Sequence, residues 1–256
     1  MLPIFDSLTH PTLDGISHRG KPEASFESLR NSLRENNFMG ACAVGLDGIA
    51  SYNHTTFMQK CREYPELVPI AAFNPMRQQE IDIIEKLGYR GIKIHLRRSQ
   101  AKLDAELLGK CFQLASHRNL TVFYCSYMHG PILTYPNEDP FFVLVKALKM
   151  APGAKVIIMH GGDIQLLRYA ELLRSNDNLL LDLSFTLMKY AGSSIDQDIS
   201  FLLQNMDQRI CLGTDHPDYD HQSVRQRFEQ LGKHVTLEKL ENVACKNILN
   251  FLNLHP

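Results

Sequence analysis

Short apolar runs alternate with longer segments of helical periodicity along the chain. Aliphatic and β-branched residues dominate the short runs, whereas the longer segments space their apolar residues three and four positions apart. The short runs predict eight strands, over residues 2–8, 38–45, 67–73, 89–96, 120–126, 154–160, 178–184 and 209–214. This alternation predicts an α/β fold, namely a closed (β/α)8 TIM barrel, with an open doubly wound sheet as the alternative.

Helical segments follow most of the predicted strands. They are expected over residues 25–36, 78–87, 104–117, 141–150, 164–175 and 223–231. A C-terminal amphipathic helix, N-capped by Thr236, is predicted to run to about Leu252. The length of 256 residues is typical of one α/β barrel, so residues 1–256 are expected to form a single domain.

The charge balance excludes several classes of partner. The chain has 27 basic and 28 acidic residues, a net charge of −1, which gives no electrostatic footprint for nucleic acid or an anionic membrane. No apolar stretch approaches the ~18 residues of a membrane span, and the first residues do not resemble a signal peptide. Six scattered cysteines without a Cys-x-x-Cys pair predict buried thiols and a cytoplasmic location. A small-molecule substrate is the expected partner, and homo-oligomerisation stays open.

The last predicted strand ends abruptly in Gly213-Thr214-Asp215. The carboxyl-terminal ends of barrel strands are where ligands bind and chemistry takes place, so Asp215 is the first catalytic candidate. The alternative is that Asp215 only caps a following helix, a role that Asp often fills.

The fourth predicted strand carries inward-facing cations. Because side chains alternate along a strand, Lys93, His95 and Arg97 are expected to point toward the barrel axis or its mouth. A buried lysine needs an anionic partner, so we expect these three residues to bind an anionic group of the substrate. The alternative for Lys93 is a salt bridge to Asp6 or Asp182.

Two further histidines stand at strand ends. His160 follows a fully apolar strand and precedes two glycines, which permit a tight turn and close approach of a ligand. His10 ends the first strand. We therefore expect His10, His95, His160 and Asp215 to converge at the barrel mouth, with His160 as the second catalytic candidate.

The strand ends carry motifs in a fixed order. They are Asp6-x-Leu8-x-His10-Pro11, Asn74-Pro75, Gly91-Ile92-Lys93-Ile94-His95, His160-Gly161-Gly162, Asp182-Leu183-Ser184, Gly213-Thr214-Asp215-x-Pro217 and Asn247-Ile248-Leu249. Together they resemble the amidohydrolase superfamily, specifically the amidohydrolase-related branch with metal-dependent decarboxylases and pyrone dicarboxylate lactonase. The resemblance spans almost the whole chain and implies the same barrel.

The resemblance also implies a metal site, from which this chain departs. Family members take two histidines from strand one, one from strand five and the aspartate from strand eight. Here Leu8 replaces the first histidine and Cys125 the third. The implied site is a reduced zinc centre of His10, Cys125 and Asp215, in which His129 could replace Cys125. The alternative is that Cys125 is a buried apolar side chain and that no metal binds.

These features predict a hydrolase that acts on a small carbonyl compound, an ester, lactone or amide with an anionic group. Asp215 would activate water with or without a divalent metal, and His160 would polarise the carbonyl. One alternative is a metal-dependent decarboxylase of the same branch. The other is a catalytically inactive barrel that serves as a binding subunit.

Overall fold

The computed structural model describes residues 1–20, 23–49, 51–99, 101–127 and 137–254. In this part of the chain, eight parallel strands pair in sequence order. They are β1 (Ile4–Thr9), β2 (Phe38–Val44), β3 (Leu67–Phe73), β4 (Gly91–Ile94), β5 (Thr121–Cys125), β6 (Val156–Met159), β7 (Leu179–Asp182) and β8 (Ile210–Cys211). Ser7 N donates to Leu212 O at 2.9 Å, which joins the β1 and β8 segments. The predicted (β/α)8 barrel is confirmed, and the open sheet is not observed.

Helices connect the strands. They are α1 (Phe26–Glu35), α2 (His54–Cys61), α3 (Ile81–Leu87), α4 (Leu96–Ser99), α5 (Ala105–His117), α6 (Pro140–Met150), α7 (Leu166–Ala170), α8 (Thr186–Lys189), α9 (Ile195–Asn205), α10 (His221–Leu231), α11 (Leu237–Glu241) and α12 (Asn247–Phe251). A π-helical turn, Asn242–Lys246, joins α11 to α12, so the predicted C-terminal helix is continuous. Thr236 holds its N-cap position, although no side-chain hydrogen bond caps it.

Two predicted elements, the helix over 164–175 and the strand over 209–214, have different bounds in the structure. The helix expected over 164–175 is divided: 3-10 turns, His160–Gln165 and Glu171–Ser175, flank the short α7. The backbone at His160 and the next three residues has positive φ, which no helix tolerates. Strand β8 has two residues instead of six because Gly213 and Thr214 leave the sheet to meet β1. Helix α9, which the apolar pattern did not single out, lies between β7 and β8.

Apolar side chains on the two faces of the strands form two clusters. The outer cluster joins the strands to the helices through residues such as Ile92 and Ile158. The inner cluster fills the barrel and includes Leu8, with Ile248 of α12 packed in it. Polar side chains are therefore concentrated where the strands end. All six cysteines are buried free thiols, as predicted. Among the described helices, none has both the length and the hydrophobicity that crossing a bilayer requires.

Candidate active site

A cavity of about 390 Å³ lies at the carboxyl-terminal ends of the strands. It is lined by His10, His18, Arg19, Leu46, Lys93, His95, Arg97, Arg98, Tyr127, His160, Phe185, Asp215 and Asp218. Four lysine or arginine side chains face two carboxylates in this lining, so the cavity has an excess of positive charge. Six residues chosen from the sequence meet here, drawn from the segments at β1, β4, β6 and β8.

His10 and Asp215 form the contact at the centre of the site. His10 Nε2 lies 3.3 Å from Asp215 Oδ1, and His10 Nδ1 lies 2.8 Å from Val44 O. Val44 O is an acceptor, so His10 donates to it from Nδ1, and the other ring nitrogen, Nε2, faces the Asp215 carboxylate. The adjacent backbone is hydrogen-bonded to β1, since Asp215 N donates to Leu8 O at 2.9 Å.

The surroundings of Asp215 favour its ionised form. Burial opposes ionisation, but the hydrogen bond from His10 and the charges of His160, His10 and Lys93 outweigh it and hold the pKa well below its usual range. Asp215 is thus a carboxylate across the neutral pH range, as a general base must be. The pairing also makes it a weak base.

The helix-cap alternative for Asp215 is wrong. Helix α10 begins at His221, and its N-cap is Asp220, whose Oδ1 accepts from Ser223 N at 2.8 Å. Asp215 instead has a φ of 59°, in the left-handed region that costs a non-glycine residue about 1–3 kcal/mol. His160 and Phe185, which line the same cavity, have φ values of 64°. Three residues that line this cavity therefore carry strained backbone.

Asp6 anchors the segments that carry His10 and Asp215. Its Oδ1 accepts from Leu8 N and Thr214 N, at 3.0 and 2.9 Å. Its Oδ2 accepts from Thr214 Oγ1 at 2.6 Å and lies 3.1 Å from Nε2 of the fully buried His221. Because both oxygens are engaged, Asp6 is not the partner of a lysine.

Asp182 orients His160. Its carboxylate accepts hydrogen bonds from the hydroxyls of Ser7 and Ser184 and from His160 N, the last at 3.2 Å. Because Ser184 Oγ donates to Asp182, it accepts from His160 Nδ1, 3.1 Å away. Burial raises the pKa of Asp182 to about 6, although these hydrogen bonds and Lys93 lower it in part. Asp182 is therefore an orienting group for His160.

The raised pKa of Asp182 makes the protein less stable as the pH rises. Below pH ~3.8 the carboxyl is protonated in both states; between ~3.8 and ~6 only the unfolded chain releases the proton, so stability falls across that interval. We expect the wild type to lose about 3 kcal/mol relative to Asp182→Asn between pH 4 and pH 7. Urea unfolding of both proteins at these pH values measures the difference. Parallel pH profiles would contradict the assignment.

Lys93 is a buried cation without a counter-ion in the part of the chain that the structure describes. It is 2% exposed, and its Nζ makes no hydrogen bond or ion pair with any described residue. The salt bridge to Asp6 or Asp182 that the sequence left open is not observed among the described residues. An unpaired ammonium in such a place is costly unless a ligand completes it. Since Lys93 lines the cavity, an anionic ligand bound there would supply its partner.

The rest of the fourth-strand segment forms the rim. His95 is half-buried, and burial together with the charges of Lys93 and Arg97 holds its pKa well below its usual range. Arg97 is exposed; its Nε donates to Tyr127 O at 2.9 Å and its guanidinium lies 4.7 Å from the Tyr127 ring centre. Arg98 also faces the cavity. A second arginine thus adds to the positive rim.

The metal site implied by the resemblance does not fit the described residues. Leu8 offers no donor atom and is fully buried in the inner apolar cluster. Both ring nitrogens of His10 are engaged, and the Cys125 thiol donates to Tyr127 O, with the sulfur 3.9 Å from that oxygen. Within the described residues, no three His, Cys, Asp or Glu side chains are arranged to hold a metal ion. The alternative ligand His129 lies outside the described residues.

Several lining residues were missed by the sequence analysis. They are His18, Arg19, Leu46, Tyr127, Phe185 and Asp218. Arg19 NH2 pairs with Asp218 Oδ2 at 2.9 Å, which links the loop after β1 to the loop after β8. Asp218 stands three residues after Asp215 and could have been found from that spacing. The other residues lie in loops without a periodic pattern, where sequence gives no such signal.

The chain is similar to known proteins in sequence and in fold. A family model described as Amidohydrolase matches residues 17–254. Among curated proteins, none matches the chain. An uncharacterised TIM-barrel protein from Bordetella bronchiseptica is similar, with a TM-score of 0.81, 15% identity and 99% of both chains covered.

Two further solved structures share the fold. One is a probable 2-pyrone-4,6-dicarboxylic acid hydrolase from Acinetobacter baumannii with citric acid bound, with a TM-score of 0.70, 19% identity, and 98% of this chain and 100% of that chain covered. The other is 5-carboxyvanillate decarboxylase from Sphingomonas paucimobilis, with a TM-score of 0.73, 11% identity and full coverage of both chains. At these identities the likeness shows the fold alone.

Proposed function

The chain belongs to the amidohydrolase family, and from that premise we propose that it hydrolyses a small ester, lactone or amide that carries carboxylate groups. The observation that carries the proposal is the buried Lys93, which has no partner among the described residues and lies in a positively charged cavity beside the Asp215–His10 pair. A cavity of this composition stabilises an anion by charge and also contains a carboxylate that can take a proton from water. We further propose a single cytoplasmic domain over residues 1–256.

The proposed mechanism uses the strand-end residues. The substrate carboxylate binds Lys93, with His95 and Arg97 at the rim, and brings its carbonyl carbon near Asp215. Binding of the anion offsets the positive charges that depress the basicity of Asp215. Asp215 then accepts the proton of the attacking water, and His160 stabilises the developing oxyanion and supplies the proton to the leaving oxygen or nitrogen.

The alternative functions have weaker support. A metal-dependent decarboxylase, with zinc on His10, Cys125 and Asp215, needs a donor set that the described residues do not form. An inactive binding barrel has no need of strained backbone at both His160 and Asp215. The solved relative with citric acid bound supports a carboxylate ligand for the same fold.

Anion binding tests the proposed substrate class. We expect citrate to stabilise the wild type by about 2.7 kcal/mol at a hundredfold excess over its dissociation constant, and the effect to weaken as salt rises. Trimethyl citrate, which has the same skeleton without the charges, is the matched control and should have no effect. Thermal unfolding with each compound at two ionic strengths measures this. Equal stabilisation by the neutral ester would contradict the proposal.

A further inference from the structure

His221 is the first residue of α10, and its side chain is completely buried. Its Nε2 lies 3.1 Å from Oδ2 of Asp6, a carboxylate of β1 that is also completely buried. Its Nδ1 forms a hydrogen bond of 2.8 Å with Ser32 Oγ on α1. The ring packs edge-on against Phe38, with 4.7 Å between the ring centres. His221 therefore connects α1 and α10 to a carboxylate inside the strand layer.

The same Asp6 carboxylate holds the backbone around Asp215. It accepts from Thr214 N at 2.9 Å and from Thr214 Oγ1 at 2.6 Å. Thr214 Oγ1 in turn accepts from His216 N at 3.0 Å, so hydrogen bonds fix the residues on both sides of Asp215. Asp215 itself has a φ of 59°, a conformation that persists only where the surrounding structure imposes it.

His10 is held by the same segment. His10 N donates to His216 O at 2.8 Å, and Asp215 N donates to Leu8 O at 2.9 Å. These bonds fix the end of β1 against the end of β8. The 3.3 Å contact between His10 Nε2 and Asp215 Oδ1 therefore depends on a backbone arrangement that the Asp6 carboxylate supports.

The orientation of Asp6 depends in turn on His221. Among the described basic side chains, only His221 lies within ion-pair distance of Asp6. A buried carboxylate is costly unless such groups surround it. The Oδ2 atom that faces the imidazole is also the atom that binds Thr214 Oγ1. Removal of the imidazole would therefore leave the carboxylate free to rotate away from Thr214.

We propose that His221 is a positioning residue for the proposed hydrolysis. It fixes the Asp6 carboxylate, and Asp6 holds the segment of Asp215 through Thr214. His221 is not among the described residues that line the cavity, so it acts through these residues and not on the substrate. The inference rests on the proposed function, because it assigns His221 to the placement of the base that this function requires.

Two substitutions separate the contacts of His221. Asn carries its amide nitrogen near the position of Nδ1 and Gln near that of Nε2, so His221→Asn keeps a partner for Ser32 and His221→Gln a partner for Asp6. With 2-pyrone-4,6-dicarboxylate as substrate, we expect His221→Asn to lower kcat about 10–100-fold, the usual cost of a misplaced catalytic group. KM should stay close to the wild-type value, because Lys93 binds the carboxylate from another strand. His221→Gln should restore most of kcat.

Arg225→Met is the matched control on the same helix. Arg225 is 5% exposed and donates from its guanidinium to Asn36 O, Leu2 O and Asn37 O, at 2.8, 2.9 and 2.9 Å. None of these partners is among the residues that line the cavity. Arg225→Met should lower the midpoint of thermal unfolding and leave kcat unchanged. If His221→Asn lost stability but kept the kcat of this control, His221 would be merely structural and the inference would be overturned.

The His10 ring signals in heteronuclear NMR test the positioning without turnover. We expect them to shift in His221→Asn, because the contact with Asp215 changes, and to keep their wild-type positions in His221→Gln and Arg225→Met. Ser32→Ala removes the other hydrogen bond of His221 and is a milder change on α1. It should produce a smaller shift at His10, which keeps the test open if His221→Asn does not fold.

The outcomes separate this inference from the proposed function. Wild-type His10 signals and wild-type kcat in His221→Asn would overturn the inference and leave hydrolysis by Asp215 standing. If His221→Asn does not fold, unshifted His10 signals in Ser32→Ala would overturn it. Wild-type turnover by Asp215→Asn would instead refute the proposed function, while the His10 signals would still decide whether His221 sets the geometry of this strand end.

Discussion

Asp215→Asn is expected to fold like the wild type and to lose hydrolytic turnover by about 10²–10⁴-fold, the usual contribution of a general base. The amide keeps the size of the side chain and can still face His10, 3.3 Å from the native carboxylate, but it cannot accept a proton from water. The backbone bond from Asp215 N to Leu8 O does not involve the side chain, so the strand end should keep its place. Steady-state kinetics and circular dichroism of the purified variant measure both parts of the prediction.

Asp220→Asn is the matched control for this substitution. Asp220 is a carboxylate five residues away that caps α10 and is not among the residues that line the cavity. Its loss should lower stability by about 1 kcal/mol or less and leave turnover unchanged. If Asp215→Asn were as active as this control, Asp215 would not be the base.

Lys93→Met is expected to raise the free energy of unfolding by about 1–3 kcal/mol while removing the affinity for anionic ligands. Burial of an ammonium that has no partner among the described residues destabilises the folded protein, and methionine fills a similar volume without a charge. Residues that serve function often lower the stability of the fold that carries them, which is the usual trade-off between stability and activity. Urea unfolding, together with the midpoint shift produced by citrate, measures the two effects.

Lys110→Met controls for the loss of a lysine elsewhere. Lys110 lies on α5, where it pairs with Glu106 at the helix surface. Removal of this exposed pair should leave the free energy of unfolding close to that of the wild type and the citrate response intact. A stability gain at Lys93 no larger than at Lys110 would mean that the buried ammonium is not strained.

The barrel could be predicted from the sequence because burial on both faces gives its strands a strong signal. The run that forms β6, for example, is wholly apolar and differs sharply from the segments around it. The boundaries were less certain where tertiary contacts decide them. Strand β8 ends at Cys211 because Thr214 binds Asp6, a residue 208 positions away, and no local pattern encodes that contact.

The strand-end residues of the site were also accessible from sequence, because alternation and position indicate which side chains reach the mouth. The surroundings of Lys93 could not be predicted from the sequence. Asp6 and Asp182 were reasonable partners until the structure showed that His221, Thr214 and the two serines engage them.

The central claim is that a cationic cavity selects the substrate for Asp215. The most direct test compares the hydrolysis of a lactone with free carboxylates and the hydrolysis of the same lactone as its methyl ester. The pair 2-pyrone-4,6-dicarboxylate and its dimethyl ester share the lactone ring, and the ester replaces with neutral methyl esters the charges that Lys93 and the rim arginines would bind. We expect kcat/KM to favour the dicarboxylate by about a hundredfold or more, since the loss of one buried charge contact is worth several kcal/mol. Equal or faster hydrolysis of the dimethyl ester would contradict the proposed recognition of an anion.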